Sequence, residues 1–339
     1  MRYQDLPVMS QRPRSAPRLD PHEEHYWIES PLRGLQLFLR HLPPSRTDLR
    51  SGVALYVHGA TFPSALSIAH RFGGHSWRDA LCEAGFDVWG FDFQGFGHSD
   101  RYPEMRQAAE ANLPLCRSED AAAQLDAVVR FILAIHGTPR LSIISHSWGS
   151  MPAGLVAGKY PALIDRLVLF GPIAQRTPQH HEPAPTAPAW RIVTLSDQWA
   201  RFVEDVPAGE PPVLSRADFD EWGEQYLDSD PGSRERSPAG VMIPTGPFLD
   251  IRHAWQGHLG YNPALVQAPV AIIRGSWDGL IPDRDARWLF DAFTGSPLKR
   301  DIKISRGTHL MHLETMRNEL YRESIAFLKA ADEPIPARK

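Results

Sequence analysis

Residues 141–150 read LSIISHSWGS, a short apolar run that ends in small and polar side chains. The apolar part is typical of a buried strand, and the small side chains of residues 148–159 predict a closely packed helix. Ser147 lies between the two, with a small residue two positions before it (Ser145) and two positions after it (Gly149). A serine on such a sharp turn holds its hydroxyl above the sheet, beside free N–H groups of the helix N-terminus. We therefore predict a nucleophile at Ser147; the alternative is a serine-rich loop that caps an ordinary helix.

Two later segments supply the partners that a nucleophilic serine needs. Asp278 and His309 each come directly after a predicted strand, in the chain order Ser, Asp, His. The carboxyl ends of parallel strands meet at one edge of a sheet, so we expect the three side chains to lie together. A serine needs a base to take its proton, and the base needs a carboxylate to fix its tautomer. Taken singly, Asp278 fits a turn residue and His309 a surface histidine; together with Ser147 they predict a catalytic triad. The alternative base is His312, and the alternative acid is Asp250.

Strands and helices alternate along most of the chain. Two alternating runs joined by turn residues, 25–29 and 35–40, predict a hairpin. Further strands are predicted at residues 53–57, 86–91, 141–145, 166–170, 269–274 and 299–304, and helices near residues 77–83, 118–136, 148–159, 283–293 and 313–330. This alternation predicts an α/β fold with a mostly parallel central sheet flanked by helices.

The alternation stops between Gly171 and Ala268, a stretch that contains 13 prolines and four tryptophans. Only short helical patches are predicted there, near residues 195–203 and 218–227. We interpret residues 171–268 as an insertion that caps the site. The predicted division of the chain is an N-terminal arm (1–22), a core (23–170 and 269–332), the cap (171–268) and a C-terminal tail (333–339).

Composition excludes several classes of function. The 339 residues contain 36 Lys and Arg against 40 Asp and Glu, a net charge of −4, which lacks the basic footprint of a nucleic-acid-binding protein. We expect no membrane span, because no apolar stretch approaches about 18 residues. The two cysteines suit a reducing compartment, and the N-terminus does not read as a secretory signal, so we expect a cytoplasmic protein. Whether it is a monomer or a homo-oligomer is left open.

Three motifs resemble those of the α/β-hydrolase superfamily, over roughly residues 25–330. They are VHGAT (57–61), similar to the oxyanion loop; DFQGFGHS (92–99), similar to the Gly-rich loop after the fourth strand; and SHSWG (145–149), similar to the nucleophile elbow. The resemblance implies an α/β-hydrolase fold with an inserted cap and no cofactor. It makes Ser147 the nucleophile, His309 the general base and Asp278 its orienting acid. The oxyanion hole would be the backbone N–H groups of Trp148 and Ala60, with Thr61 as the alternative second donor.

The chain departs from the family pattern at two places. Ser145 replaces the first glycine of the elbow. The elbow and the Gly-rich loop are also similar to those of proline-iminopeptidase-like members, but residues 59–63 read GATFP where those have a Gly-Gly-Pro-Gly run. A serine at the nucleophile position, rather than an aspartate, argues against the dehalogenase and epoxide-hydrolase branches.

These observations predict a serine hydrolase that cleaves a carboxylic ester, or a lactone or activated amide, of a fairly bulky apolar or aromatic small molecule. Aromatic side chains of the cap could line the substrate pocket or form the cap's own core; together with Thr61, the pocket candidates are Trp190, Trp199, Trp222 and Trp255. The alternative is an iminopeptidase-like peptidase or amidase, in which cap carboxylates bind an amine. The candidates, which could otherwise form a solvated face, are Glu204, Asp205, Asp218, Asp220, Glu221 and Glu224. A third alternative is a catalytically silent relative that binds a ligand or a protein. We predict no metal site, since HEEH (22–25) and HHE (180–182) do not match a catalytic zinc pattern.

Overall fold

The computed structural model describes residues 15–32, 34–46, 49–177 and 186–330. It contains an eight-stranded sheet, a separate pair of strands and eight α-helices within these ranges. The strands are β1 (Glu24–Glu29), β2 (Gln36–Leu42), β3 (Gly52–Val57), β4 (Phe86–Asp92), β5 (Leu141–His146), β6 (Ile164–Phe170), β7 (Trp190–Thr194), β8 (Gly240–Pro244), β9 (Val270–Gly275) and β10 (Lys299–Ile304). The helices are α1 (Trp77–Glu83), α2 (Ser118–His136), α3 (Ser150–Lys159), α4 (Leu195–Val203), α5 (Arg216–Asp228), α6 (Gly246–Trp255), α7 (Asp283–Ala292) and α8 (Arg317–Leu328).

The large sheet has the strand order β1-β2-β4-β3-β5-β6-β9-β10. β1 and β2 form the predicted hairpin, and β2 also pairs antiparallel with β4. All other neighbouring pairs in this sheet are parallel, which confirms the predicted fold class. The carboxyl ends of β5, β9 and β10 therefore open on the same edge of the sheet.

Helices cover both faces of this sheet. Along β3, Leu55 and Val57 enter one hydrophobic cluster, whereas Ala54 and Tyr56 enter the other, as the alternation of side chains along a strand requires. The first cluster includes residues of α2, α3 and α7; the second includes residues of α1 and α8. Strands with two apolar faces explain the near-continuous apolar runs in the sequence.

The chain between β6 and β9, residues 171–268, is called the insert below. It contains the antiparallel pair β7–β8 and the helices α4, α5 and α6. Its described residues share one hydrophobic cluster with the core: Trp222 is fully buried, packs edge-on against Phe62 (ring centroids 5.2 Å apart) and donates its indole N–H to the Leu66 carbonyl at 3.0 Å. The insert is therefore packed firmly against the core at this point.

Three elements of the insert, β7, β8 and α6, were not predicted from the sequence. β7 and β8 are only five residues each, and α6 begins at Gly246-Pro247, a pair that reads as a helix breaker although proline fits the first helical turn. The helix at residues 195–203 is confirmed as α4. The domain boundaries stay predictions, and residues 1–14 and 331–339 lie outside the described part of the chain. None of the described helices combines the length and apolar character that a membrane crossing requires.

Candidate active site

The turn after β5 holds Ser147 in a left-handed backbone conformation, with φ of +55°. Residues other than glycine rarely adopt this backbone conformation, so the turn stores strain at the predicted nucleophile. A Cβ atom on Gly149 would lie 2.5 Å from the His58 carbonyl oxygen, and one on Gly59 would lie 3.2 Å from Cβ of Ser147. The close approach of residues 57 and 58 therefore requires a glycine at position 149 of the elbow.

The three residues of the predicted triad lie within hydrogen-bonding distance. Ser147 Oγ is 2.8 Å from His309 Nε2, although 162 positions separate them in the chain. The other ring nitrogen of His309, Nδ1, lies 3.0 Å from Asp278 Oδ2 and 3.1 Å from Oδ1. With Nδ1 donating to the carboxylate, Nε2 is free to accept the serine proton. All three side chains are buried.

The loops that carry Asp278 and His309 are joined by hydrogen bonds. Trp277 N–H donates to the Gly307 carbonyl at 2.9 Å, and Arg306 N–H donates to Ser276 Oγ at 2.9 Å. A Cβ atom on Gly275 would lie only 1.9 Å from the Gly307 oxygen, so glycine permits this approach. The acid and the base are thus held in register by their own loops.

Glu314 supports the base loop from inside the protein. Thr308, directly before His309, donates its hydroxyl to Glu314 Oε1 at 2.5 Å and its N–H to Oε2 at 3.3 Å. Burial raises the pKa of Glu314 to about 8, and the nearby Asp205 and Asp278 carboxylates add to the increase. Sequence reasoning missed this residue; the only signal was an acidic residue at the end of the apolar segment LMHLE (310–314).

The predicted oxyanion-hole residues lie next to the serine hydroxyl in the chain or in space. Trp148 follows Ser147 and is fully buried, and Ala60 follows Gly59, which approaches Ser147 closely. The loop of Ala60 is fixed by His58: Nε2 accepts from Phe93 N–H at 3.0 Å, so Nδ1 carries the proton donated to the Gly59 carbonyl at 2.7 Å. This role of His58 was also missed.

The two alternative triad residues take no part in the hydrogen-bond chain of Ser147. Asp250 accepts hydrogen bonds from Arg117, Ser118 N–H and the Trp148 indole. His312 is buried among rings, with its centroid 4.6 Å from that of His146, and burial lowers its pKa to about 3. The geometry therefore favours the pair Asp278 and His309 over these alternatives.

The four tryptophans proposed for the pocket have separate surroundings. Trp222 stacks on Tyr226 with ring centroids 5.2 Å apart, and Trp199 packs edge-on against Phe219 at 4.9 Å. The other two have polar neighbours: the Trp190 indole donates to the Gln107 carbonyl at 3.1 Å, and the Arg176 guanidinium lies 4.2 Å from the Trp255 ring centroid. Thr61 is half-buried beside Ala60. Their pocket role stays a prediction.

A carboxylate of the insert lies beside the triad. Asp205 Oδ1 accepts from Gly279 N–H at 3.2 Å, one residue after Asp278. Burial raises the pKa of Asp205, and the neighbouring Asp278 carboxylate raises it further, whereas His309 opposes the shift. The Asp205 carboxylate therefore lies close to the Asp278 carboxylate of the predicted triad.

Buried ion pairs account for the acidic residue Glu23 in the HEEH motif (22–25). Glu23 of HEEH is fully buried between Arg40, at 2.6 Å, and Arg78. Residues 180–182 lie outside the described part of the chain. A search of the described residues for possible metal ligands gives the group His41, Asp87 and His136, with ligand atoms within 4.8 Å of one another.

The nitrogens of that histidine group already have partners. His41 Nδ1 and Nε2 each lie 3.1 Å from a carboxylate oxygen, of Glu24 and Asp87 respectively, and His136 Nε2 accepts from the Trp89 indole at 2.9 Å. Metal binding would have to break these bonds, so the group fits a structural network better than a metal centre.

Comparison with known proteins shows the family. The model of the alpha/beta hydrolase fold matches residues 56–315, most of the chain, and the protein belongs to the α/β-hydrolase family. No curated protein matches the sequence.

Similar solved structures include enzymes of several kinds. The thioesterase domain from the curacin biosynthetic pathway is 15% identical, with a TM-score of 0.57, and the match covers 91% of this chain and 99% of that one. Monoacylglycerol lipase from Paleococcus ferrophilus is 17% identical, with a TM-score of 0.54 and coverage of 86% and 98%. Epoxide hydrolase VrEH1 from Vigna radiata is 14% identical, with a TM-score of 0.57 and coverage of 91% and 98%. At these identities the likeness shows the fold.

Proposed function

We propose that this protein is a serine hydrolase that cleaves a carboxylic ester, or a lactone or activated amide, through an acyl-enzyme. The observation that carries the proposal is the continuous hydrogen-bond chain from Ser147 Oγ through His309 to Asp278. A base on one side of the serine and a carboxylate that fixes the base are the arrangement a nucleophilic serine needs. Membership of the α/β-hydrolase family supports the proposal.

The reaction would run in two halves. Ser147 Oγ attacks the carbonyl carbon while His309 Nε2 takes its proton, and the backbone N–H groups of Trp148 and Ala60 stabilise the oxyanion. The tetrahedral intermediate collapses, and the alcohol leaves with the proton from His309. Water then attacks the acyl-enzyme with His309 again as the base, which releases the acid and restores the Ser147 hydroxyl. No cofactor takes part in these steps.

The insert is proposed to be the cap that selects the substrate. Two of its contacts with the core lie near the triad loops: Glu210 forms an ion pair with Arg306 at 3.1 Å, and Thr315 N–H donates to the Val213 carbonyl at 3.0 Å. Aromatic side chains of the insert favour a bulky apolar substrate. The cap tryptophans and Thr61 remain the pocket candidates.

A second candidate function is favoured by Asp205. A half-buried carboxylate next to Asp278 could bind a substrate ammonium group, as an iminopeptidase-like peptidase or amidase would require. An amide has a poorer leaving group than an ester, so the two functions separate on matched substrates.

A substrate panel tests the proposal. p-Nitrophenyl esters from acetate to decanoate, with proline and alanine nitroanilides beside them, are offered to the wild type and to Ser147→Ala. We expect ester hydrolysis that falls at least about 10³-fold in kcat in Ser147→Ala, and a heavy loss in Asp278→Asn through the wrong histidine tautomer.

The matched control is Ser145→Ala, which removes a buried hydroxyl that has no hydrogen-bond partner among the described residues. It is expected to retain wild-type turnover. Ester turnover that survives in Ser147→Ala would contradict the proposed nucleophile, and turnover of the nitroanilides alone would favour the peptidase.

A further inference from the structure

Asp250 connects the insert to the nucleophile elbow. It lies on α6, is 2% exposed, and its Oδ2 accepts the Trp148 indole N–H at 3.1 Å and the Ser118 backbone N–H at 2.7 Å. Its Oδ1 accepts from the Arg117 guanidinium. A single buried carboxylate thus contacts the residue after Ser147, the first residue of α2 and a cation.

Asp250 caps the N-terminus of α2, although it lies on another helix. α2 begins at Ser118, and the Arg117 side chain at the N-cap position makes no hydrogen bond to the helix within the described structure. The N–H groups of a first helical turn need acceptors, and a carboxylate there also interacts favourably with the helix dipole. Asp250 lies 132 positions after Ser118 in the chain, so no local sequence pattern could predict that it caps α2.

The bond to Trp148 has a different consequence. The Trp148 ring is fully buried and packs edge-on against Phe93, with ring centroids 5.3 Å apart. Its only polar atom is the indole N–H, which Asp250 accepts. Packing and this hydrogen bond together hold the side chain in one orientation, and the backbone that carries it follows the strained residue Ser147.

We propose that Asp250 is a positioning residue that fixes the oxyanion-hole N–H of Trp148 through the indole hydrogen bond. The proposal rests on the proposed function, in which that backbone N–H stabilises the oxyanion. It also gives the insert a part in the reaction beyond covering the site, because Asp250 belongs to the insert and Trp148 to the elbow. A donor displaced by a fraction of an ångström stabilises the transition state less well, while binding of the ground state changes little.

The test measures the oxyanion hole without knowledge of the natural substrate. An alkyl fluorophosphonate reacts with an activated serine and develops negative charge on its phosphoryl oxygen, so its second-order labelling rate reports on the hole. The variants are Trp148→Phe, which keeps a ring but removes the N–H, and Asp250→Leu, which keeps a similar size but removes both acceptor oxygens. We expect each to label about 10- to 100-fold more slowly than the wild type, well below its unfolding temperature.

Trp89→Phe is the matched control. Trp89 is also fully buried, and its indole donates to His136 at 2.9 Å, away from the elbow. It should lose comparable stability yet label at the wild-type rate. The double variant of Trp148→Phe and Asp250→Leu should label no more slowly than the slower single variant, because both changes break the same hydrogen bond.

The outcomes separate this proposal from the function on which it rests. If the wild type is not labelled at Ser147, the proposed function fails and the positioning role fails with it. If the wild type is labelled and Trp148→Phe keeps its rate, the hydrolase stands and the positioning role is wrong. Should Trp148→Phe not fold, Asp250→Leu decides: a wild-type labelling rate in the folded variant leaves Asp250 as a helix cap only and overturns the proposal.

Discussion

Replacing Glu314 with glutamine should change how the stability of the protein depends on pH. The carboxyl group is fully buried and bonded only to Thr308 among the described residues. Burial, with a contribution from the Asp205 and Asp278 carboxylates, raises its pKa from 4.5 to about 8. At neutral pH the folded protein therefore holds a proton at Glu314 that the unfolded chain has released.

The size of the effect follows from proton linkage. Between pH 4.5 and about 8 the folded state binds one more proton than the unfolded state, so the free energy of unfolding falls as pH rises, by about 1.4 kcal/mol per pH unit. Burial lowers the pKa of several histidines, for example to about 4 in His70 and about 3 in His312. These groups act in the opposite direction while the unfolded histidines are still partly protonated, up to about one pH unit above 6.5, and their contribution cancels when the wild type is compared with Glu314→Gln. From pH 6.5 to 8, loss of the Glu314 proton alone should lower the free energy of unfolding by about 2 kcal/mol.

Urea denaturation at pH 6.5, 7.0, 7.5 and 8.0 measures this difference. In Glu314→Gln the amide has no charge at any of these pH values, as the protonated carboxyl group has none, and its carbonyl oxygen can still accept the Thr308 hydroxyl. We expect the wild type to lose about 2 kcal/mol more than the variant over this range. The control Glu110→Gln changes an exposed carboxylate and should follow the wild type. Parallel curves for the wild type and Glu314→Gln would refute the reasoning.

Two further substitutions test a close backbone approach and a buried ion pair. Gly275→Ala should lower the free energy of unfolding by about 1–3 kcal/mol and also reduce activity, because its Cβ would lie 1.9 Å from the Gly307 oxygen. Urea denaturation and ester turnover check this, and a variant with wild-type stability and turnover would contradict the close approach. Glu23→Gln should cost about 3–5 kcal/mol, since it leaves the buried charges of Arg40 and Arg78 without their partner; a midpoint in urea unchanged from the wild type would contradict that ion pairing.

The core fold could be predicted because its signals are local. Buried parallel strands have continuous apolar runs, and residues 269–274, predicted as a strand from such a run, form most of β9, in which every residue is buried. The elbow was also predictable, since small residues must flank Ser147 where the His58 carbonyl passes within 2.5 Å of a Cβ position on Gly149.

The features that could not be predicted depend on contacts between distant parts of the chain. Asp250 was considered as an alternative acid, yet it caps α2 and holds Trp148, a role that only the packing of α6 creates. Glu314 and Asp205 likewise gain their importance from burial next to the triad, which no periodicity in the sequence reports. The short strands β7 and β8 are set by pairing with each other rather than by their own pattern.

The most direct measurement of the central claim is the mass of the protein during turnover of a p-nitrophenyl ester. Rapid acid quenching followed by peptide mapping would trap a covalent intermediate. The account predicts a mass increase equal to the acyl group, located on Ser147 and absent in Ser147→Ala. Turnover without an adduct, or an adduct on another residue such as Asp278, would contradict it.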